Sequence, residues 1–185
     1  MKGAMKMNYE VCTKSGWVRG KKEEGVYKWL GIPYAKKPIG EYRFRKAKPV
    51  EPWPGVLETV TYGDKPMQIP FIVCNPDVKE SEDCLYLNIW SSGTEEKKPV
   101  VFMIFGSAYI LGESSMMLYE GTSMAKDNIV FVSINYRLGA LGCFDYTHLS
   151  GNTDDFDGDI SLSDQLEALR WVKENIEAFG GDPDN

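Results

Sequence analysis

Residues 100–134 read VVFMIFGSAYILGESSMMLYEGTSMAKDNIVFVSI and contain two short apolar runs, Val100–Phe105 and Ile129–Ile134. Short, almost wholly apolar runs with β-branched residues are typical of buried strands in a parallel sheet. The connection between them is long enough for a right-handed crossover and includes a predicted short helix from Met124. We therefore expect the two runs to form parallel neighbouring strands.

Downstream, apolar residues recur at helical spacing, namely Leu162, Leu166, Leu169, Val172, Ile176 and Phe179. We expect Ser161 to cap this helix, with Asp164 three residues on, and the Gly180-Gly181 pair to end it. The order strand, crossover, strand, helix calls for another parallel strand next. The sequence ends at Asn185 instead.

Upstream, Leu85–Trp90 alternates as a half-buried strand does, and residues 9–34 alternate apolar stretches with turn signals, which predicts an antiparallel meander. Residues 36–76 hold most of the ten prolines, which exclude long helices there and indicate an ordered loop region pinned by aromatic residues. The fold class predicted is α/β.

The length of 185 residues suits one domain or an incomplete piece of a larger one. A hydrophobic fraction of 43% and a charged fraction of 26% are typical of globular proteins, and a net charge of −6 disfavours nucleic acid and anionic membranes as partners. No apolar run is long enough to span a bilayer. We expect a soluble, cytoplasmic protein.

The only histidine is His148, so hydrolytic, zinc and proton-relay chemistry within the chain is severely restricted. The four cysteines form no CxxC pair, which leaves a structural zinc or a thioredoxin-type site unsupported and favours reduced thiols. The sequence implies no cofactor and no metal.

A series of motifs runs in order through the chain: residues 31–35 (GIPYA), 43–44 (RF), 52–53 (PW), 81–90 (SEDCLYLNIW), 135–139 (NYRLG), 164–165 (DQ) and 179–183 (FGGDP). In order and approximate spacing they resemble the type-B carboxylesterase family and, within it, the bacterial para-nitrobenzyl esterases. The resemblance covers almost the whole sequence, from Gly16 to Asn185.

This resemblance implies an α/β-hydrolase fold, in which an antiparallel meander leads into a parallel sheet with crossover helices. Residues 1–185 would form one incomplete domain that lacks the nucleophile strand and everything after it. The implied reaction is hydrolysis of a small-molecule carboxylic ester by a Ser-His-acid triad, whose serine occupies a GxSxG turn.

No GxSxG turn occurs in the sequence, and the family's acid and histidine also follow the nucleophile in chain order. Residues 112–116 and 121–125 match only the first half of the pattern and are expected to be plain loops. His148 matches no triad position and is expected to be a surface or loop histidine.

The catalytic element that the resemblance places inside the chain is the oxyanion-hole turn at Gly106, Ser107 and Ala108, directly after a predicted strand. Backbone N–H groups of Ser107 and Ala108 would stabilise the negative oxygen of the tetrahedral intermediate. Phe105 replaces the family's usual histidine and Ser107 a glycine, and serine would be strained if that position needs φ > 0. The alternative interpretation is a plain strand-to-loop turn.

The resemblance also implies two structural ion pairs, Arg43 with Glu82 and Arg137 with Asp164, and breaking a buried pair costs about 3–5 kcal/mol. Cys84 matches a cysteine that is disulfide-bonded in secreted members. Its partner position holds Pro66, and Cys74 is a nearer candidate. A bridge over so short a loop is not expected in a cytoplasmic chain.

Residues 154–159 form an acidic stretch, DDFDGD, that departs from the family. Compared with a calcium loop, it offers Asp155, Asp157 and Gly158 but Thr153 in the first position, and no helix precedes it. A solvated acidic loop is the better interpretation.

Three functions fit this sequence. The chain is the N-terminal portion of a serine carboxylesterase, inactive alone; or it is a non-catalytic interaction module on an esterase scaffold; or it is half of a split esterase completed by a C-terminal complementing chain. The departures at Phe105 and Ser107 favour the second, and a neighbouring reading frame with the missing motifs would favour the third.

Overall fold

The two apolar runs form adjacent strands that pair in parallel, with Val130 opposite Val100 and Ile134 opposite Ile104, as predicted. The computed structural model describes residues 9–149 and 155–185. The strands are β1 (Glu10–Thr13), β2 (Gly16–Arg19), β3 (Lys21–Glu23), β4 (Val26–Pro33), β5 (Val56–Glu58), β6 (Lys65–Pro66), β7 (Glu80–Ser81), β8 (Tyr86–Ser91), β9 (Val100–Ile104) and β10 (Val130–Ile134). The helices are α1 (Thr122–Lys126), α2 (Gly139–Gly142) and α3 (Ile160–Asn175), with 3-10 turns at Gly40–Tyr42, Met117–Tyr119 and Ile176–Phe179.

The main sheet has the strand order β3-β4-β8-β10-β9. Its pairings are antiparallel from β3 to β10, and among the described residues β10 with β9 is its one parallel pair, so the sheet is mixed. The prediction that both apolar runs are buried holds for β10 only, because β9 lies at the edge and its residues are only partly covered.

Strand β8 is buried on both faces, and its predicted half-exposure is therefore wrong. It lies between β4 and β10, and each face packs into a different hydrophobic cluster. Leu87 and Ile89 belong to the larger cluster, which α3 covers, whereas Trp90 packs with Phe131 and Leu30 in the smaller one.

The predicted meander over residues 9–34 is in fact two hairpins in separate sheets. Strands β1 and β2 pair with each other and β2 with β5, whereas β3 and β4 join the main sheet. The chain passes from one sheet to the other at Gly20, where a Cβ atom would lie 2.3 Å from the carbonyl oxygen of Lys28. Close backbone approach therefore requires glycine at this crossing.

Helix α3 forms as predicted and continues into the 3-10 turn Ile176–Phe179, which ends at Gly180 with φ of 85°. The predicted cap is wrong, because Ser161 lies within the helix and donates its hydroxyl to the carbonyl of Arg137. The prediction of which helix face is buried is also wrong for the first turns of the helix. The buried face is the one that carries Asp164, Ala168 and Trp171. The leucines at positions 162, 166 and 169 lie on the opposite face and are about half exposed.

The two predicted ion pairs form, but only one is buried. Arg137 contacts Asp164 through Nε (2.9 Å) and Nη2 (2.5 Å), and both side chains are at most 4% exposed. This pair fixes the end of β10 to α3, and it determines which helix face meets the sheet. The Arg43–Glu82 pair is bidentate but partly exposed, so the expectation that it is buried is wrong.

The proline-rich segment 36–76 is an ordered loop region without long helices in the described chain. The acidic stretch contacts it, so the prediction of a fully solvated loop is wrong at Asp157, which accepts a hydrogen bond from the Lys46 N–H and donates its own N–H to the Phe44 carbonyl. Thr153 and Asp154 lie outside the described residues. No described group of three acidic, histidine or cysteine residues could hold a metal ion.

All four cysteines are free thiols, and the Cys84 thiol is buried. His148 is exposed, as expected of a surface histidine. None of the described helices is both long and apolar enough to cross a membrane.

Candidate functional site

The turn at residues 106–109 leaves the end of β9 and is exposed to solvent. The residue before it, Phe105, is only 2% exposed and stacks on the ring of Tyr136, with centroids 4.4 Å apart and planes 19° apart. The phenylalanine that replaces the family's histidine is therefore a packing residue that lies beneath the turn.

The backbone of this turn is strained. Ser107, Ala108 and Tyr109 have φ values of 120°, 53° and 61°, a region that residues with a Cβ atom rarely adopt. Each such residue costs about 1–3 kcal/mol, and strain of this kind concentrates at functional sites. The predicted strain at Ser107 is thus present in the structure.

The strained turn leaves hydrogen-bond donors free. Within the described part of the chain, the N–H groups of Ser107 and Ala108 donate to no acceptor, while the N–H of Ile110 donates to the Ser107 carbonyl (3.1 Å) and closes the turn. Successive free N–H groups in a turn form a concavity that binds anions or developing negative oxygens. This geometry suits the predicted role of Gly106, Ser107 and Ala108.

Tyr136 holds the start of the turn. Its hydroxyl donates to the carbonyl oxygen of Phe105 at 2.7 Å, and burial raises the pKa of this phenol, so it remains a protonated donor at neutral pH. Gly139, from the same motif at residues 135–139, also holds the turn, because its N–H donates to the Tyr109 carbonyl at 2.8 Å. Tyr136 belongs to a motif noted in the sequence, but nothing in the sequence assigns it this contact.

Gln68 holds the end of the turn segment, and no pattern in the sequence indicated it. Its side-chain oxygen accepts from the N–H of Gly112 at 2.7 Å, and its side-chain nitrogen donates to the Gly112 carbonyl at 3.0 Å. Residues 105 and 112 are therefore both fixed, and the strained turn lies between them.

No alternative nucleophile exists in the two half-matching windows. Ser114 is 3% exposed and its Oγ accepts a hydrogen bond from Asn88 Nδ2 at 3.0 Å, so it belongs to a buried polar network. Ser123 lies in α1, outside any strand-to-helix turn of the kind that activates a serine. The expectation of a plain loop holds for residues 112–116 but is wrong for residues 121–125, most of which lie in α1.

Comparisons with known proteins agree with the fold. The model of the Carboxylesterase family matches residues 8–185. Over 180 residues the chain is 43% identical to the para-nitrobenzyl esterase of Bacillus subtilis (strain 168), covering 95% of this chain and 36% of that relative. It is 38% identical over 191 residues to a cholinesterase of Mus musculus, covering 95% of this chain and 31% of that relative.

A solved carboxylesterase structure from Geobacillus stearothermophilus superposes with a TM-score of 0.88 at 45% identity, covering 96% of this chain and 36% of that one. The chain thus spans about a third of the length of the relatives it matches. Its fold is the N-terminal part of an α/β-hydrolase fold. The chain belongs to the carboxylesterase family.

Proposed function

We propose that this chain is the N-terminal portion of a serine carboxylesterase and supplies the oxyanion hole for hydrolysis of small-molecule carboxylic esters. The observation that carries the proposal is the pair of free N–H groups at Ser107 and Ala108, presented by a strained turn at the end of β9. One such donor commonly contributes about 3 kcal/mol to lowering the barrier. The Ser-His-acid triad would come from sequence that the relatives possess beyond the third matched here.

The departures at Phe105 and Ser107 are compatible with a working hole. Phe105 is buried beneath the turn, so its ring does not compete with a substrate for the free N–H groups. Ser107 keeps the positive φ that a glycine would adopt, at the cost of strain. These observations favour the catalytic portion over the non-catalytic interaction module.

The chain alone would have no esterase activity, because it contains no GxSxG serine and its one histidine is exposed on a loop outside this turn. No metal or cofactor is needed for this chemistry. The four free thiols fit a reducing, cytoplasmic location.

The test is a hybrid enzyme in which this chain replaces the matching third of the Bacillus subtilis para-nitrobenzyl esterase. We expect the hybrid to hydrolyse para-nitrophenyl acetate, and a serine-reactive phosphonate to abolish the activity. The isolated chain, assayed in parallel, should give no turnover above buffer.

A hybrid that unfolds cooperatively but does not turn over the ester would contradict the proposal and favour the interaction module. Turnover by the isolated chain would also contradict it, since an internal serine would then have to act as the nucleophile.

A split esterase is a second candidate, favoured by the open side of β9. The N–H of Asp182 donates to the Lys98 carbonyl at 2.7 Å and the N–H of Val100 to the Asn185 carbonyl at 2.9 Å, so residues 180–185 run beside the start of β9. A following strand could join the sheet there from the same chain or from a complementing one. A neighbouring reading frame that begins with a GxSxG strand-turn-helix would favour the complementing chain.

A further inference from the structure

The oxyanion turn is a short strained loop whose two ends are fixed by different parts of the fold. At its start, Phe105 is held by the ring and the hydroxyl of Tyr136. At its end, Gly112 is held by the side chain of Gln68. Because three residues between these points have positive φ, the turn would relax to a less strained shape if either end were released.

The contact at Gly112 couples the two ends. Gly112 has φ of 108°, and a Cβ atom there would lie 2.7 Å from the Phe105 ring, so the backbone of residue 112 packs directly on that ring. Gln68 saturates both the N–H and the carbonyl of Gly112, as a neighbouring strand would do. Any shift of Gly112 would therefore displace Phe105, the residue that leads into the turn.

Gln68 itself rests on a fixed base. Its side-chain nitrogen also donates to the carbonyl of Pro66 in β6, at 3.1 Å. The loop that follows is tied to the same segment, because the fully buried Glu113 carboxylate accepts from the Asn75 N–H and from the Ser115 hydroxyl. The loop at residues 66–75 and the segment 112–115 are thus cross-linked at two places.

We propose that Gln68 is a positioning residue for the oxyanion hole, acting through Gly112 and Phe105 on the N–H groups of Ser107 and Ala108. The proposal rests on the function proposed above. Gln68 contacts no reacting atom and lies on a loop outside the hydrophobic clusters. Replacing it should therefore change the geometry of the hole more than the stability of the fold.

The experiment compares Gln68→Ala and Gln68→Glu with the parent hybrid enzyme. Glutamate keeps an acceptor for the Gly112 N–H but loses the donor to the Gly112 carbonyl. We expect kcat to fall about tenfold to a hundredfold in Gln68→Ala with KM unchanged, since misplaced donors act only on the transition state. Affinity for a trifluoromethyl ketone, whose tetrahedral adduct occupies the hole, should fall by the same factor. Gln68→Glu should lose at least as much, because its carboxylate oxygen would face the Gly112 and Pro66 carbonyl oxygens without a proton to donate.

The matched control is Ile72→Ala, which changes a side chain of the same loop that is 97% exposed and should leave all three quantities at the parent value. Chymotrypsin cleavage after Tyr109, which is 51% exposed, gives a readout independent of turnover and should be faster in Gln68→Ala than in the control. Unchanged cleavage, or an unchanged kcat and ketone affinity beside a lowered melting temperature, would overturn the proposal. An inactive parent hybrid with faster cleavage in Gln68→Ala would contradict only the proposed function.

Discussion

The two edges of the main sheet differ sharply in chemistry. Strand β3 carries the sequence KKE, with Lys21 paired to Glu23 at 2.9 Å and Lys22 placed over the Tyr27 ring. Strand β9 carries VVFMI, and Ile104 is 41% exposed. Charged edge strands prevent further pairing, whereas an exposed apolar edge invites it. The β3 edge is therefore protected from pairing with a further strand, whereas the β9 edge is open to it.

Helix α3 repeats this contrast between a covered and an uncovered side. Its inner face is buried against the larger hydrophobic cluster, but its outer face presents the half-exposed leucines 162, 166 and 169. A regular leucine stripe facing solvent is unusual unless another element covers it. The open edge and the leucine stripe together fit a chain that spans about a third of its relatives' length.

The largest effect is expected at the ion pair that joins α3 to the sheet. Arg137→Met leaves the Asp164 carboxylate, which is fully buried, without its cation, and we expect a loss of about 3–5 kcal/mol in the free energy of unfolding. Burial raises the pKa of Asp164, and without the guanidinium only the backbone N–H of residue 137, 3.0 Å from Asp164 Oδ2, still opposes that rise. A carboxyl whose pKa is higher when folded destabilises the fold as pH rises, so the deficit should shrink as pH falls through the raised folded pKa and should be lost near the unfolded value of about 4.

Urea unfolding of the hybrid at neutral and acid pH measures this loss. Arg19→Met is the matched control in β2 of the smaller sheet, because Arg19 forms partly exposed pairs with Glu10 and Glu58 and its removal should hardly change the midpoint. Equal losses in the two variants would mean that α3 depends on its buried pair no more than the smaller sheet depends on an exposed one.

The second prediction concerns the edges themselves. In the isolated chain, Ile104→Lys puts a charge on the exposed apolar edge, and we expect sedimentation velocity to show a shift from aggregates toward monomer. Lys22→Val removes a charge from the other edge and should increase association. If the isolated parent chain is a monodisperse monomer that unfolds cooperatively, the exposed apolar edge of β9 does not cause aggregation and this prediction is wrong.

The sequence predicted the features that depend on local pattern. The parallel pairing of β9 with β10 and the glycine stop at Gly180 each follow from a short stretch of residues, whereas the strain at Ser107 was expected from the family resemblance. Family resemblance added the Arg137–Asp164 pair, which spacing alone would not have indicated.

The sequence failed where a tertiary neighbour decided the outcome. The leucine stripe of α3 has helical period, yet the buried ion pair at Asp164 and the small Ala168 turn the opposite face toward the sheet. Strand β8 is buried on both faces because each face packs into a hydrophobic cluster formed by distant parts of the chain. The role of Gln68 depends on one side chain meeting one backbone residue 44 positions away, a contact without local signature.

The smallest effect is expected at Ser107, in the turn that follows the open edge strand. Ser107→Gly removes backbone strain of about 1–3 kcal/mol, while glycine's greater freedom in the unfolded chain costs about 0.5–1 kcal/mol, so the net change should be a gain of about 1 kcal/mol. We expect the thermal midpoint of the hybrid to rise by about one degree.

The matched control is Ser92→Gly, in the loop after β8, where serine has no positive φ and glycine brings its entropic cost and the loss of an exposed 3.3 Å hydrogen bond from Ser92 Oγ to Asn128 Oδ1. The difference between the two variants isolates the strain at residue 107. A midpoint that falls equally in both would show that Ser107 is unstrained. A rise in Ser107→Gly with kcat unchanged would show that the strain is a consequence of the serine alone, whereas a rise with lower kcat would mean that the rigid serine backbone holds the N–H groups in place for the reaction.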